Sequence, residues 1–206
     1  PVLERAGDRF AGNISFDAFR DFQGRMGANI GSLALNSSSG ARVTQQGALS
    51  VQSSADGWRL SSPAALVLDG RDLPRATIAL NQSFGNQWSG NLKVAPYSAS
   101  GASLAVPAIA FKGRPGGTWA FNGQAKLSGP LPGGMVSGLN LPVSGRYTGG
   151  TFTLYDACQN IRFDALRVSS LNLRGQALRL CPDAGQSMLT VRNGTTRFAT
   201  NVAHFA

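Results

Sequence analysis

The sequence has few of the residues on which catalytic and metal sites depend. Its 206 residues include one histidine, two cysteines and ten acidic side chains. A histidine base would have to be His204, which lies beside Phe205 near the end of the sequence, where side chains are seldom held firmly. Two cysteines and one distant histidine cannot fill a tetrahedral zinc shell. We therefore expect no enzyme, no catalytic residue, no metal and no cofactor.

Long hydrophobic runs and dense charge are also missing. No run of about 18 apolar residues is present, so no transmembrane helix is predicted. Charged residues make up only 14% of the chain, and 19 Lys and Arg against 10 Asp and Glu give a net charge of +9. No acidic residue occurs between Asp72 and Asp156. The cations are spread singly rather than clustered with aromatic side chains, which argues against nucleic acid as a partner. Attraction to anionic lipid headgroups and simple solvation both remain open.

What the sequence has instead is a two-residue rhythm. Large apolar residues recur as pairs at i and i+2, which we call doublets, and the residue between them is usually small, polar or basic. Residues two apart in a strand share a face, so each doublet gives a short strand one apolar side. The doublets taken as the lining of one apolar face are Leu33 and Leu35, Leu49 and Val51, Leu66 and Leu68, Ile78 and Leu80, Leu92 and Val94, Leu104 and Val106, Phe152 and Leu154, Ile161 and Phe163, Leu171 and Leu173, and Leu178 and Leu180.

The doublets follow one another about every ten residues, the spacing of strand plus turn in an antiparallel meander. Asp69-Gly70 and Asn193-Gly194 are hairpin signals between them. Residues 16–26 carry apolar side chains at helical spacing, so a short helix and an irregular strand are both open there. We predict one all-β domain over 1–206. It is either an antiparallel meander curled into an elongated, taco-like β-groove or a self-packed β-sandwich.

Cys158 and Cys181 bracket two predicted strands, 161–168 and 171–180. A strand pair joined by a short turn returns the chain to its starting edge, which brings the two thiols within bonding reach. A disulfide here would place the chain in an oxidising compartment such as a bacterial periplasm. Two unrelated, buried thiols are the alternative.

The C-terminal stretch also carries a resemblance. Cys158-Gln-Asn-Ile-Arg-Phe-Asp-Ala-Leu-Arg167, Leu171-Asn-Leu-Arg-Gly175 and Leu178-Arg-Leu-Cys-Pro182 resemble the YdbH-type members of the AsmA-like superfamily. The motif covers about 25 residues. The resemblance implies a segment, internal or C-terminal, of a long periplasmic protein of repeating β-groove architecture, with the parent protein anchored in the inner membrane. It implies phospholipid, other segments of the same chain and envelope proteins of the inner and outer membranes as partners.

The resemblance favours a lipid conduit that serves outer-membrane biogenesis, with acyl tails in the apolar trough and headgroups in solvent. The alternatives are a self-packed β-sandwich that acts as a binding or adhesion module of the cell envelope, and a structural element of that envelope. Four basic residues between apolar positions either attract phosphates weakly or solvate the outer face: Arg59, Lys93, Arg162 and Arg179.

Overall fold

In a computed structural model, residues 9–54, 57–60, 64–82, 87–114 and 116–205 are described, and each regular element among them is a β-strand. All strand pairs with a described register are antiparallel, so the predicted all-β antiparallel fold class is confirmed. The strands are β1 (Phe10–Arg20), β2 (Met26–Ser37), β3 (Ala41–Gln46), β4 (Leu49–Ser54), β5 (Gly57–Leu60), β6 (Ala64–Gly70), β7 (Leu73–Gln82), β8 (Trp88–Ala99), β9 (Ala102–Gly113), β10 (Trp119–Leu131), β11 (Gly134–Thr148), β12 (Thr151–Leu154), β13 (Gln159–Val168), β14 (Leu171–Cys181), β15 (Leu189–Arg192), β16 (Thr195–Phe198) and β17 (Asn201–Phe205).

The chain divides into two compact units, Pro1–Lys93 and Val94–Ala206, and the division falls inside β8. We call them the first unit and the second unit. The prediction of a single β-rich domain within a longer chain stays a prediction.

The first unit is a meander whose long strands are interrupted. β1 pairs with β2, and β2 pairs with β3 along its second half and with β4 along its first half. β3 and β4 therefore act as one strand with a break. Gln45 fills this break, because its Nε2 donates to the carbonyl oxygens of Ile30 and Gly47, each at 2.8 Å. β6 and β5 continue the meander against β3 and β4, and β7 pairs with β6.

The second unit repeats this design. β9, β10 and β11 form a regular ladder. Beyond it, β11 pairs with β12 near its end and with β13 near its start. β12 pairs with β15 and β15 with β16, while β13 pairs with β14 and β14 with β17. Three successive long strands are thus each broken into two, at the same level of the sheet.

Backbone hydrogen bonds carry the ladder through these breaks. The amide of Tyr155 donates to Ser144 at 2.9 Å, that of Met188 donates to Tyr155 at 3.1 Å, and that of Ala199 donates to Met188 at 2.9 Å. Met188 is buried at 2% exposure. Buried backbone polar groups need partners, so the breaks are built into the sheet rather than frayed.

A disulfide joins two of the long strands at this level. Cys158 and Cys181 are bonded, with their Cα atoms 4.0 Å apart, so the predicted disulfide is confirmed and the reading as unrelated thiols is wrong. Closing a loop of this length stabilises the fold by about 3 kcal/mol in the chain-entropy model.

The predicted turns are confirmed in part. Asn193 and Gly194 form a hairpin turn with φ of 50° and 75°, as the sequence indicates. The Asp69-Gly70 turn is wrong, because Gly70 still pairs with Leu73 and the turn follows it. A Cβ on Gly70 would lie 3.0 Å from the Gly40 carbonyl oxygen. This glycine therefore permits a close approach of backbones rather than a turn.

Residues 16–26 form strand, turn and strand, so the helical alternative is wrong. The Asp21 carboxylate accepts hydrogen bonds from the amides of Gln23 and Arg25, both at 2.9 Å, and from Arg25 Nε. A side chain that satisfies turn amides in this way favours a turn over a helix. Desolvation acts to raise the pKa of Asp21, but the hydrogen bonds and the charge of Arg25 outweigh it and hold that pKa below its ordinary value.

Candidate functional site

The predicted lining residues of the first unit share one face of its sheet. Cross-strand partners in an antiparallel ladder project from the same face, as do residues two apart in one strand. These two rules connect all of them on strands with a described register. Leu33 and Leu35 are two apart on β2, and Leu35 pairs with Val43 on β3, which pairs with Leu68 on β6. Leu66, two before Leu68, pairs with Ile78 on β7, and Leu80 follows two residues later. On the other half of β2, Ile30 pairs with Leu49 on β4, and Val51 follows two residues later.

A β-bulge keeps this face continuous in β2. Ile14 pairs with Leu33, and Phe16 pairs with Ile30, because the register shifts by one residue between the two pairs. Ile14 and Phe16 are two apart and share a face, so Leu33 and Ile30 share it too, although they are three apart. We call this surface the first-unit apolar face. β1 therefore belongs to it, although its side chains were not among the predicted lining residues.

Much of the first-unit apolar face is open to solvent. The exposed fraction is 54% for Ile14, 61% for Phe16, 37% for Leu68 and 38% for Ile78. Scattered apolar residues on a surface are normal, but a contiguous apolar area marks a surface made for contact. The first-unit apolar face is therefore a candidate binding surface.

The opposite face of the first unit is not uniformly wet. Val67 lies between Leu66 and Leu68, and its side chain is 1% exposed. The expectation that residues between doublet members face solvent is therefore wrong at this position. The cross-strand partners of Val67 are Thr44 and Thr77.

The predicted lining residues of the second unit that lie on strands with a described register also share a face. Leu104 pairs with Leu127, and Leu127 pairs with Leu139. A second row runs across six strands on this face, from Phe111 to Phe121, Gly145, Leu154, Leu189 and Phe198. We call this surface the second-unit apolar face.

Bulges again keep this face continuous. Leu127 pairs with Leu139 and Gly129 pairs with Val136, so Leu139 and Val136 share a face although they are three apart. The extra residue lies at Gly138, whose φ of +62° is in the left-handed region. At the same level of the sheet, the apolar positions change from odd to even numbers along β13, from Phe163 to Leu166, and likewise along β14, from Leu173 to Leu178. The register carries Phe163, Leu166, Leu173 and Leu178 to this one face.

The second-unit apolar face is covered at several positions. Phe163 is 4% exposed, Val136 is 6% and Val106 is 7%. Phe121 stacks on Phe152 with ring centroids 5.0 Å apart. A Cβ on Gly145 would overlap the Thr153 carbonyl oxygen and would lie 2.5 Å from the Leu154 side chain and 2.9 Å from the Phe121 ring, so this glycine permits close packing at the row.

The predicted lining residues thus differ in exposure. Val106 and Phe163 are buried, and Leu68, Ile78 and Leu171 are exposed. The others are half-buried: Leu33, Leu35, Leu49, Val51, Leu66, Leu80, Leu92, Val94, Leu104, Phe152, Leu154, Ile161, Leu173, Leu178 and Leu180. Their role as a groove lining stays a prediction.

The four basic residues proposed for the rim are exposed. Arg162 and Arg179 lie on the face opposite the doublets, since each alternates with lining residues of its strand. Asp156 pairs with Arg146 and accepts a hydrogen bond from Ser187 Oγ at 2.5 Å, so it braces a strand break. Within the described ranges, no three of His, Cys, Asp and Glu lie close enough to hold a metal ion. The side chain of His204 lies outside the described residues.

Sequence reasoning missed two features. One is β1. Its residues Phe10, Gly12, Ile14 and Phe16 are each two apart, so three apolar side chains with one glycine among them already follow the period of a strand. The other is a cleft of the second unit, whose lining includes Lys126 and Arg162 together with Leu104, Leu127 and Phe163. No local signal predicts it, because its residues come from strands that are distant in sequence.

No family model, curated protein or solved structure matches this chain. Among the residues that the structure describes, no helix has the length and apolar character needed to span a membrane.

Proposed function

We propose that this chain is a segment of a lipid-conducting β-groove and that the first-unit apolar face receives the acyl tails of phospholipids. The observation that carries the proposal is the exposure of Ile14, Phe16, Leu68 and Ile78 on one face of one sheet. The cell compartment in this proposal is the periplasm. The partners are phospholipid, other segments of a longer chain, and envelope proteins of the inner and outer membranes.

The free energies favour such a surface. Each acyl methylene removed from water gains about 0.8 kcal/mol, so one acyl chain crossing water meets a barrier of order 10 kcal/mol. A sheet that offers apolar contacts from strand to strand lowers that barrier at every step. The headgroup stays in solvent, where it keeps its hydration.

The alternation of faces provides a matched pair of variants. Ile14 and Asn13 are adjacent in β1, both are exposed, and they project from opposite faces. Ile14→Asp places a carboxylate on the first-unit apolar face, and Asn13→Asp places the same group on the other face. Neither side chain is buried, so neither variant is expected to unfold the sheet.

The test combines lipid extraction with a transfer assay on the full chain. We expect phospholipid to copurify with the protein and a fluorescent phospholipid to move faster between vesicles in its presence. Ile14→Asp should slow the transfer about tenfold or more, because burying a carboxylate against acyl chains costs several kcal/mol. Asn13→Asp should leave the rate unchanged. A lipid-free protein, or equal rates for the two variants, contradicts the proposal.

A second candidate is a self-packed binding or adhesion module of the cell envelope. The burial of Phe163, Val136 and Val106 on the second-unit apolar face favours it. A lipid-free, monodisperse protein in the same extraction would support this candidate over the conduit.

A further inference from the structure

The second unit has a cleft of about 800 Å³, which lies outside the first-unit apolar face. Its lining is mixed, because Leu104, Leu127 and Phe163 of the second-unit apolar face contribute to it beside polar residues. One cross-strand row of residues runs through it, and each member pairs with the next. The row is Ala105 on β9, Lys126 on β10, Asn140 on β11, Arg162 on β13 and Ala177 on β14. Lys126 alternates with Leu127, and Arg162 alternates with Phe163, so this row projects from the polar face.

A smaller cleft of about 260 Å³ adjoins the first, because Asn140 and Arg162 line both. Its other lining residues are Gln124, Pro142 and Asn160. All of these residues belong to the polar face by pairing and alternation. Lys126, Asn140 and Arg162 therefore lie at a depression that spans several strands.

The cations of the cleft are free to meet a ligand. Lys126 and Arg162 are exposed, and neither forms an ion pair within the described part of the chain. They lie on strands separated only by β11, so their backbones are about 10 Å apart. Two cations at this spacing suit a phosphate or carboxylate group that is part of a larger molecule, rather than a small free anion.

The lining of the cleft also contains oxygen atoms, which accept hydrogen bonds and would not bind an acidic group. Asn140 Oδ1 is buried and has no hydrogen-bond partner among the described residues. Buried acceptors without a partner are uncommon in folded proteins. The Asp164 carboxylate lies against Gly138 and adds a second acceptor to the lining, and Ser128 adds a hydroxyl group. The Asp164 and Ser128 oxygens suit a ligand that carries hydroxyl donors.

We propose that this cleft binds an acidic carbohydrate, that is, a hydroxyl-rich molecule with a carboxylate or phosphate group. Lys126 and Arg162 bind the acidic group, and the exposed Asp164 carboxylate accepts hydrogen bonds from the hydroxyl groups. A volume of about 800 Å³ is within the range of small-molecule sites. The ligand is either a free acidic glycan or the hydroxylated phosphate headgroup of a lipid.

Calorimetric titration of the full chain tests this with defined probes. Trigalacturonate is the acidic sugar, maltotriose is the neutral one, and inorganic phosphate is the anion without a sugar. Vesicles that contain phosphatidylinositol test the headgroup source. We expect Arg162→Gln and Lys126→Gln each to weaken binding of the acidic ligand about tenfold, the loss typical of one charged hydrogen bond. Arg179→Gln is the matched control, because Arg179 is exposed on the same face and does not line the cleft.

The outcomes separate the sources and the proposals. Binding of trigalacturonate that depends on Arg162 supports a free glycan, and binding only of phosphatidylinositol vesicles with the same dependence supports a headgroup. Equal binding of maltotriose, phosphate binding as tight as that of trigalacturonate, an equal loss in Arg179→Gln, or no binding of any probe overturns the inference. Lipid transfer is proposed for the first-unit apolar face and ligand binding for the cleft of the second unit. One proposal can therefore fail while the other holds. Unchanged unfolding midpoints of the three variants show that the fold is intact.

Discussion

Phe16 in the first unit and Phe163 in the second hold similar places in the pattern. Each is a phenylalanine on the apolar face of its strand, yet Phe16 is 61% exposed and Phe163 is 4% exposed. β13 has a partner strand on both sides, β11 and β14, whereas β1 pairs with β2 alone among the described ladders. The comparison teaches that alternation determines which face a side chain takes but not whether it is covered, since Leu68 is exposed although β6 has a partner strand on both sides.

The same contrast separates the functions open to the two units. An exposed apolar face gains free energy when a guest covers it, because apolar area leaves water. A position that is already buried, such as Phe163, has gained that free energy during folding. The second-unit apolar face has such positions, but it is exposed at Leu171 (51%) and Phe198 (64%). We place the lipid proposal on the first unit because none of its predicted lining residues is buried, and the second candidate on the second unit because Val106 and Phe163 are.

The largest effect is expected from truncating the two phenylalanines. Phe163→Ala should lower the free energy of unfolding by about 3–5 kcal/mol, as for buried aromatic side chains. Phe16→Ala should lower it by less than about 1 kcal/mol, because little of its area is buried. Urea unfolding followed by circular dichroism measures both. Equal losses would contradict the difference in burial between Phe16 and Phe163.

The bulges provide the next test. Gly138→Ala should cost about 1–3 kcal/mol, because alanine is strained at a φ of +62° and its methyl group would meet the Asp164 carboxylate. Gly31→Ala, near the bulge of the first unit, places its Cβ 3.1 Å from Ser15 Oγ, a flexible group, and should cost about 0.5 kcal/mol or less. Thermal unfolding of both variants checks the contrast. A larger cost at Gly31 would contradict our account of how the two bulges are built.

The alternation in the sequence was enough to predict strands, faces and one covalent bond. Doublets such as Leu33 and Leu35 need only the two-residue period of a strand, which is local. The bond between Cys158 and Cys181 needed only that two strands return to one edge. Bulges were not predicted, although a signal was present. The apolar positions change parity between Val136 and Leu139, with a glycine between them.

Local sequence patterns predict neither the exposure of individual side chains nor the cleft of the second unit. Leu68 and Leu66 belong to one doublet, yet only Leu68 is exposed, because exposure depends on strands distant in sequence. The row of Lys126, Asn140 and Arg162 forms only when the registers of β10, β11 and β13 are known. The sequence singles out only Arg162 of these three residues, as a side chain that either attracts phosphates or solvates the outer face. The pairing of the strands is what brings Arg162 together with Lys126 and Asn140.

The smallest effect is expected at the Asp21 turn of the first unit. The folded pKa of Asp21 is lowered, so its stabilisation is present above the unfolded value, near 3.8, and is lost as pH falls through the folded pKa. Asp21→Asn should therefore be less stable than the natural chain at pH 7, and the two should converge at strongly acidic pH. Urea unfolding over this pH range measures the difference. In an Arg25→Gln background the gap at pH 7 should narrow, because the side chain that donates to the carboxylate at 2.5 Å is gone. A gap that does not change with pH would mean that the turn is held by its backbone rather than by this carboxylate.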